Sequence, residues 1–284
     1  MSSNIPVVVY SNEPRCRSFR IMAKDIWKDL KVSRELAWRL MVRDISAHYR
    51  QSLLGILWAF LPPLVTALFF IVLNNRNIIN IEETSIPYPV FAIVGTVLWQ
   101  IFVYSFNAPL KVVNASKSML TKINFPREAL ILSSLGQALF DTCIKVVILI
   151  VVLLIFKIQF TWGASFSLLA LLTLVLLGIT FGLLLTPIGL LYTDISHGVT
   201  IITTLWFFLT PVIYPPPANF PLSLIATLNP VSPILVGTRD LATSGVLHNP
   251  IIFLMVSFLM LFFLVVALII YRLAMPIVIE RISA

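Results

Sequence analysis

The sequence predicts an all-α integral membrane protein with six transmembrane helices. An amphipathic interface helix precedes the first span, and short re-entrant outer-leaflet helices lie between the fifth and sixth. Three observations carry this reading. First, 59% of the 284 residues are hydrophobic and only 11% are charged, against about 45–50% and about 25% in a soluble domain. So little polar surface cannot cover a water-soluble globule, which excludes an ordinary soluble enzyme, a disordered chain and a collagen-like fibre. Second, uncharged runs reach the length of about 20 residues that a hydrocarbon core of about 30 Å requires. Third, the Lys and Arg residues sort onto alternate loops. Sixteen of 20 fall in residues 1–52, 111–128 and 272–284. The positive-inside rule then places both termini in the cytoplasm. The net charge of +8 therefore reads as topology, and no nucleic-acid partner is implied.

The elements follow in chain order. Residues 1–52 form a cytoplasmic segment with two amphipathic stripes. The first comprises Phe19, Met22, Ile26 and Leu30, and the second, after Ser33 as N-cap, comprises Leu36, Ala37, Leu40, Met41 and Ile45. Basic amphipathic helices of this kind lie in the membrane interface. No apolar signal-peptide core is present among the ten Lys/Arg of this segment, so the N-terminus is expected to stay cytoplasmic. The six-span domain covers 53–272. Its spans are Leu53–Leu73, Val90–Leu110, Ala129–Phe156, Phe166–Tyr192, the short Val199–Ile213 and Ile251–Tyr271. Between the fifth and sixth lies residues 214–249, proline-rich yet apolar, which fits short helices dipping into the outer leaflet. A cytoplasmic tail, 273–284, completes the chain.

No catalytic or metal-binding residue emerges. The three histidines are scattered, and Asp194-Ile195-Ser196-His197 lacks an activated nucleophile. Cys16 and Cys143 have no ligand spacing. No Gly precedes a Lys, so the phosphate-cradling loop of ATPases is missing. Asp141 and Lys145 stand four apart inside a span and predict an intramembrane ion pair on one helix face. Gly178 and Gly182 form a small-xxx-small face for close helix packing. Tyr88, Trp99, Tyr104 and Phe106, with Tyr214, form a candidate wall for a glycan channel, because flat rings cover the C–H faces of sugars.

Two blocks resemble polysaccharide-exporting ABC transporter permeases, the membrane subunits that move O-antigen, capsule or teichoic acid chains. One is Tyr49-Arg50-Gln51-Ser52-Leu53-Leu54-Gly55-Ile56-Leu57-Trp58 with Pro62-Pro63-Leu64. The other is Ser118–Glu128, ending in Phe125-Pro126-Arg127-Glu128. Thr210-Pro211-Val212-Ile213-Tyr214 and Asn229-Pro230 resemble the later part of the pattern. One departure is Thr193 where the family often has Arg before Asp194.

The resemblance implies a homodimer in a bacterial inner membrane, served by two copies of a separate ABC ATPase. ATP and Mg would bind that partner, leaving no cofactor in this chain. Residues 111–128 would form the ATPase-coupling loop, with Lys117, Met119, Leu120, Lys122, Phe125, Pro126, Arg127 and Glu128 as its contacts. A lipid-linked glycan would approach at Tyr49, Arg50, Ser52 and Gly55. Two alternatives stay open: a permease of this architecture exporting a drug or small lipid, and a membrane-embedded lipid-linked sugar transferase.

Overall fold

The computed structural model describes residues 31–50, 55–76, 78, 84–123, 125–217 and 222–283. The first amphipathic stripe, Ser52 and Asn124 lie outside them. Helix α1 spans Arg34–Arg50, and a 3-10 turn at Gly55–Ala59 leads into α2, Leu61–Asn75. Then come α3 (Tyr88–Ala115), α4 (Lys117–Lys122) and α5 (Glu128–Ile155). A second 3-10 turn at Trp162–Phe166 precedes α6 (Ser167–Leu191) and α7 (Asp194–Leu209). The chain finishes with α8 (Leu222–Leu228), α9 (Val231–Thr243) and α10 (Pro250–Ser283).

Local sequence sets these boundaries. Pro62 and Pro63 fall in the first turn of α2 and Pro89 in that of α3. Proline is tolerated there because those N–H groups lack intrahelical partners. The α-helix of the first span therefore starts at Leu61, directly after the 3-10 turn, and Leu53 lies outside the described residues. Ser33 does precede α1, but its buried Oγ makes no hydrogen bond, so the expected side-chain cap is not formed.

Among the described residues, five helices are long and apolar enough to cross a membrane. The expected fifth span is the exception. Helix α7 has 16 residues, about 24 Å, and stops before Pro211. Helix α10 runs unbroken through 34 residues, about 51 Å, so residues 273–283 are a helical continuation of the last span.

Helices α3 and α6 form the centre of the bundle. Their contact is close because Gly178 packs against Phe102 O and Ser105, and Gly182 against Phe106 O and Pro109. In lipid, apolar side chains gain little by leaving their surroundings, so such backbone approach holds helices together. Around this pair stand α2, α5 and α10. Much of their outer surface is apolar and exposed, including Val65, Phe69, Ile150, Leu154, Leu254 and Phe258. Helix α1 lies along α5, with Ala37 and Leu40 buried and Met41 Sδ seated at Gly136.

The broken segment after α7 folds back into protein. Val212 O packs onto Gly95 of α3. Asn229 ties the break together: its Oδ1 accepts from Trp206 Nε1 at 3.0 Å and Val231 N at 3.0 Å, and its Nδ2 donates to Thr210 Oγ1 at 2.8 Å. Arg239, only 2% exposed, donates through one terminal nitrogen to Pro211 O and Val212 O, each at 3.2 Å. Its guanidinium lies 3.8 Å from the centre of the Phe91 ring. Non-helical backbone at membrane depth needs such internal partners. Arg239 is thus a buried structural cation, not an outer-loop charge as its position implied.

Candidate functional site

The candidate docking site begins where α3 ends. At Ser116 the backbone leaves the helix (φ −99°, ψ 7°), and six residues form α4. Residues 111–115 are the last turn of α3, so the expected loop of 111–128 narrows to a short helix and its flanks. Leu120 is buried, while Met119 and Phe125 pack partly against the core. These apolar anchors turn Lys117, Ser118, Thr121, Lys122 and Ile123 outward. Lys117 Nζ also reaches Leu190 O at 3.5 Å, a favourable place for a cation at the end of α6. Pro126 O accepts the Ala129 N–H at 3.1 Å as α5 starts. Glu128 occupies the first turn of α5, where the helix dipole favours an anion, and lies 3.8 Å from an Arg272 nitrogen of α10. Arg127 sits beside it, half-buried, and burial lowers its guanidinium below the usual range.

Behind this helix runs a polar seam between α1, α3 and α5. Gln137, Asp141 and Lys145 recur every four residues along α5, and all three are buried. Gln137 Nε2 donates to Asp44 Oδ2 of α1 at 3.2 Å. Lys145 Nζ donates to Asp141 Oδ2 at 2.6 Å and to Gln100 O of α3 at 3.3 Å. The same ammonium stands 5.3 Å from the centre of the Tyr104 ring. Asp44 and Gln137 were not singled out by sequence. The four-residue spacing of Gln137 ahead of Asp141 was the available signal.

The residues expected at the substrate approach, Tyr49 first among them, adjoin this seam. Tyr49 packs its ring 6.2 Å from Phe140, the neighbour of Asp141, and 5.1 Å from His48. Arg50 is exposed at the end of α1. Gly55 adopts φ +50°, a left-handed conformation open to glycine. Partial burial, then the Lys111 ammonium, holds His48 below the usual imidazole range. Positive charge at this surface therefore comes from Arg50 and Lys111.

The aromatic wall divides. Trp99 and Phe106 are 3% and 5% exposed. Trp99 packs against Phe102 and Phe207, and Phe106 against Phe102 and Phe181. They belong to the chain's own core. Tyr104 lies under Lys145. Tyr214 donates to Phe208 O at 2.8 Å, and Tyr88 stacks near Phe91 at 6.5 Å. The structure does not bring these five rings together on one surface.

Residues 35–243 match the ABC-2 type transporter family. The chain belongs to this family. The match opens in the first turn of α1 and closes on the last residue of α9, so it takes in α4, the polar seam and the folded-back segment. An O-antigen export system permease protein, RfbA, from Myxococcus xanthus is 32% identical over 196 residues, covering 66% of this chain and 71% of the relative. A protein of the same name from Klebsiella pneumoniae is 26% identical over 219 residues, 72% of this chain and 79% of its own length. As an ABC-2 transporter, the chain is a multi-pass membrane permease, and membership implies an ABC ATPase as partner.

Proposed function

We propose that this ABC-2 transporter is the membrane subunit of an exporter that moves a lipid-linked polysaccharide across a bacterial inner membrane. The observation that carries the reading is α4, a short basic helix anchored by Leu120 and flanked by α3 and α5. It offers Lys117 and Lys122 to a partner at the end of the bundle, which is what a separate ATPase requires. The names of the relatives supply the substrate class.

Two copies of the chain would pair and engage two ATPase subunits. Both termini and α4 would face the cytoplasm. Closure of the ATPases would push on α4. A short helix held between two long ones moves as a rigid body with them. The ion pair Asp141–Lys145, with Gln100 O, holds α5 to α3, so both flanks of α4 would shift together. The anionic head of the lipid carrier would approach Arg50 and Lys111, with Tyr49 beside them.

The test is genetic and biochemical. Deleting this permease in a cell that makes the polysaccharide should leave the glycan on its lipid carrier inside. Export should return only when the permease and its ATPase are supplied together. Normal surface polysaccharide without the permease, or export by the permease alone, would overturn the proposal.

A further inference from the structure

At the opposite end of the bundle from α4, the chain encloses a half-open pocket of about 130 Å³. It lies between the end of the α7 turn, α8, α9 and the start of α10. Its walls include Ser232, Asp240 and His248, with Ser223 and Thr227 of α8, under a rim of Pro216 and Pro217. Nothing in the coupling or approach surfaces uses it.

The chemistry of the walls narrows the ligand. His248 Nδ1 lies 2.8 Å from Asp240 Oδ2. Since a carboxylate only accepts, Nδ1 carries the proton of this contact. Among the described residues, Asp240 Oδ1 takes no hydrogen bond, so it is a second acceptor. Ser232 is 4% exposed, and its buried Oγ has no partner in the protein. A buried hydroxyl left without a partner is unfavourable, and a ligand hydroxyl would supply one. The lining contains a carboxylate but no Lys or Arg, which disfavours a phosphate or a carboxylate. Proline rings supply C–H surface in place of aromatic faces. A closed cavity of about 150 Å³ holds benzene, so about 130 Å³ with an open mouth leaves room for one ring of a longer chain. Hydroxyl donors facing acceptors, a C–H rim and room for one ring describe a neutral pyranose.

We propose that this pocket is a subsite for one neutral pyranose unit of the transported chain, with Asp240 and Ser232 as its hydrogen-bonding residues. The inference rests on the glycan reading above. A weak hold at this end of the bundle would keep a threaded chain from slipping back between strokes of the ATPase.

The test uses the full permease with its ATPase, in which Cys16 and Cys143 are replaced by alanine and Ser223→Cys supplies a single thiol. Thr227→Cys serves as a second reporter where Ser223→Cys assembles poorly. The rate of modification by a membrane-impermeant maleimide is measured with and without methyl glycosides of glucose, galactose, mannose and rhamnose. At least one glycoside should slow labelling severalfold, and an equal concentration of glycerol should not. Ser232→Ala and Asp240→Asn should each weaken the protection. Ser232→Ala removes an unpartnered hydroxyl, so it leaves the fold intact and isolates the ligand contact. No protection by any glycoside at either reporter, or protection unchanged in both variants, would overturn the subsite. The export assay above is scored in parallel. Glycan export that depends on the permease without any protection rejects the subsite alone, whereas export that ignores the permease rejects the glycan reading itself.

Discussion

Lys145 Nζ donates to Asp141 Oδ2 at 2.6 Å inside the bundle, and both side chains are almost fully buried. The pair is a cross-brace because the ammonium also reaches Gln100 O on the neighbouring helix. Removing one member strands the other charge. Asp141→Leu or Lys145→Met should each destabilise the permease by about 3–5 kcal/mol. The double replacement Asp141→Leu with Lys145→Met should cost less than either single change. Unfolding in detergent, arranged as a double-mutant cycle, measures the coupling. A strictly additive double variant would show that the pair does not act as a unit.

Two glycines should respond oppositely to alanine. At Gly182 an added Cβ meets Phe106 O and Pro109, so Gly182→Ala should cost about 1–3 kcal/mol as α3 and α6 are forced apart. At Gly198 in α7 a Cβ meets nothing within 4 Å. Gly198→Ala should therefore be neutral or stabilising by up to about 1 kcal/mol. Thermal melting of the two variants compares them directly.

Arg239 should not be replaceable by lysine. Its planar head accepts stacking on Phe91 while bonding two carbonyls. An ammonium supplies charge without that plane. Arg239→Met should lose about 1.5–3 kcal/mol for each charge-assisted bond, and Arg239→Lys should recover only part of it. Protease sensitivity of residues 210–243 is the readout, and full protection in the lysine variant would refute the stacking role.

Charge reversal on α4 should separate docking from folding. Lys122 is exposed and Leu120 is buried. Lys122→Glu should abolish permease-stimulated ATP hydrolysis while the permease inserts and melts normally. Leu120→Ala should instead lower stability, by about 2–5 kcal/mol. Unchanged ATPase stimulation by the Lys122→Glu protein would remove α4 from the docking surface.

Topology can be read from two exposed positions at opposite ends of the bundle, Thr121 and Ser165. In intact cells a thiol introduced as Ser165→Cys should react with an impermeant reagent. Thr121→Cys should react only after the inner membrane is opened. The reverse pattern would invert the orientation.

The long spans were legible because lipid demands unbroken apolar length, and Asp141–Lys145 was legible because four residues bring two side chains to one helix face. Gly178 and Gly182 announced the α3–α6 contact by their spacing. What sequence could not give was partnership across helices. Asp44 meets Gln137 from 93 positions away, and no local pattern marks that. Trp99 and Phe106 show the same limit. An aromatic ring in a span suits a channel wall, a lipid belt or a core equally, and only packing selects the core. Arg239 looked like a loop charge because its neighbours are short and proline-broken. Its real role follows from carbonyls freed 28 residues earlier at Pro211.

The length of α10 has a mechanical consequence. A helix of about 51 Å, tilted by as much as about 40°, still rises about 39 Å through a slab of about 30 Å. Part of it must stand in water. Its far end is packed at Tyr271, Met275 and Val278 and touches α4, while Ile277, Glu280 and Arg281 remain uncovered. A visiting subunit therefore meets a shelf of two elements rather than a lone peg. Leverage applied to the small helix is braced by a rod that crosses the whole bilayer.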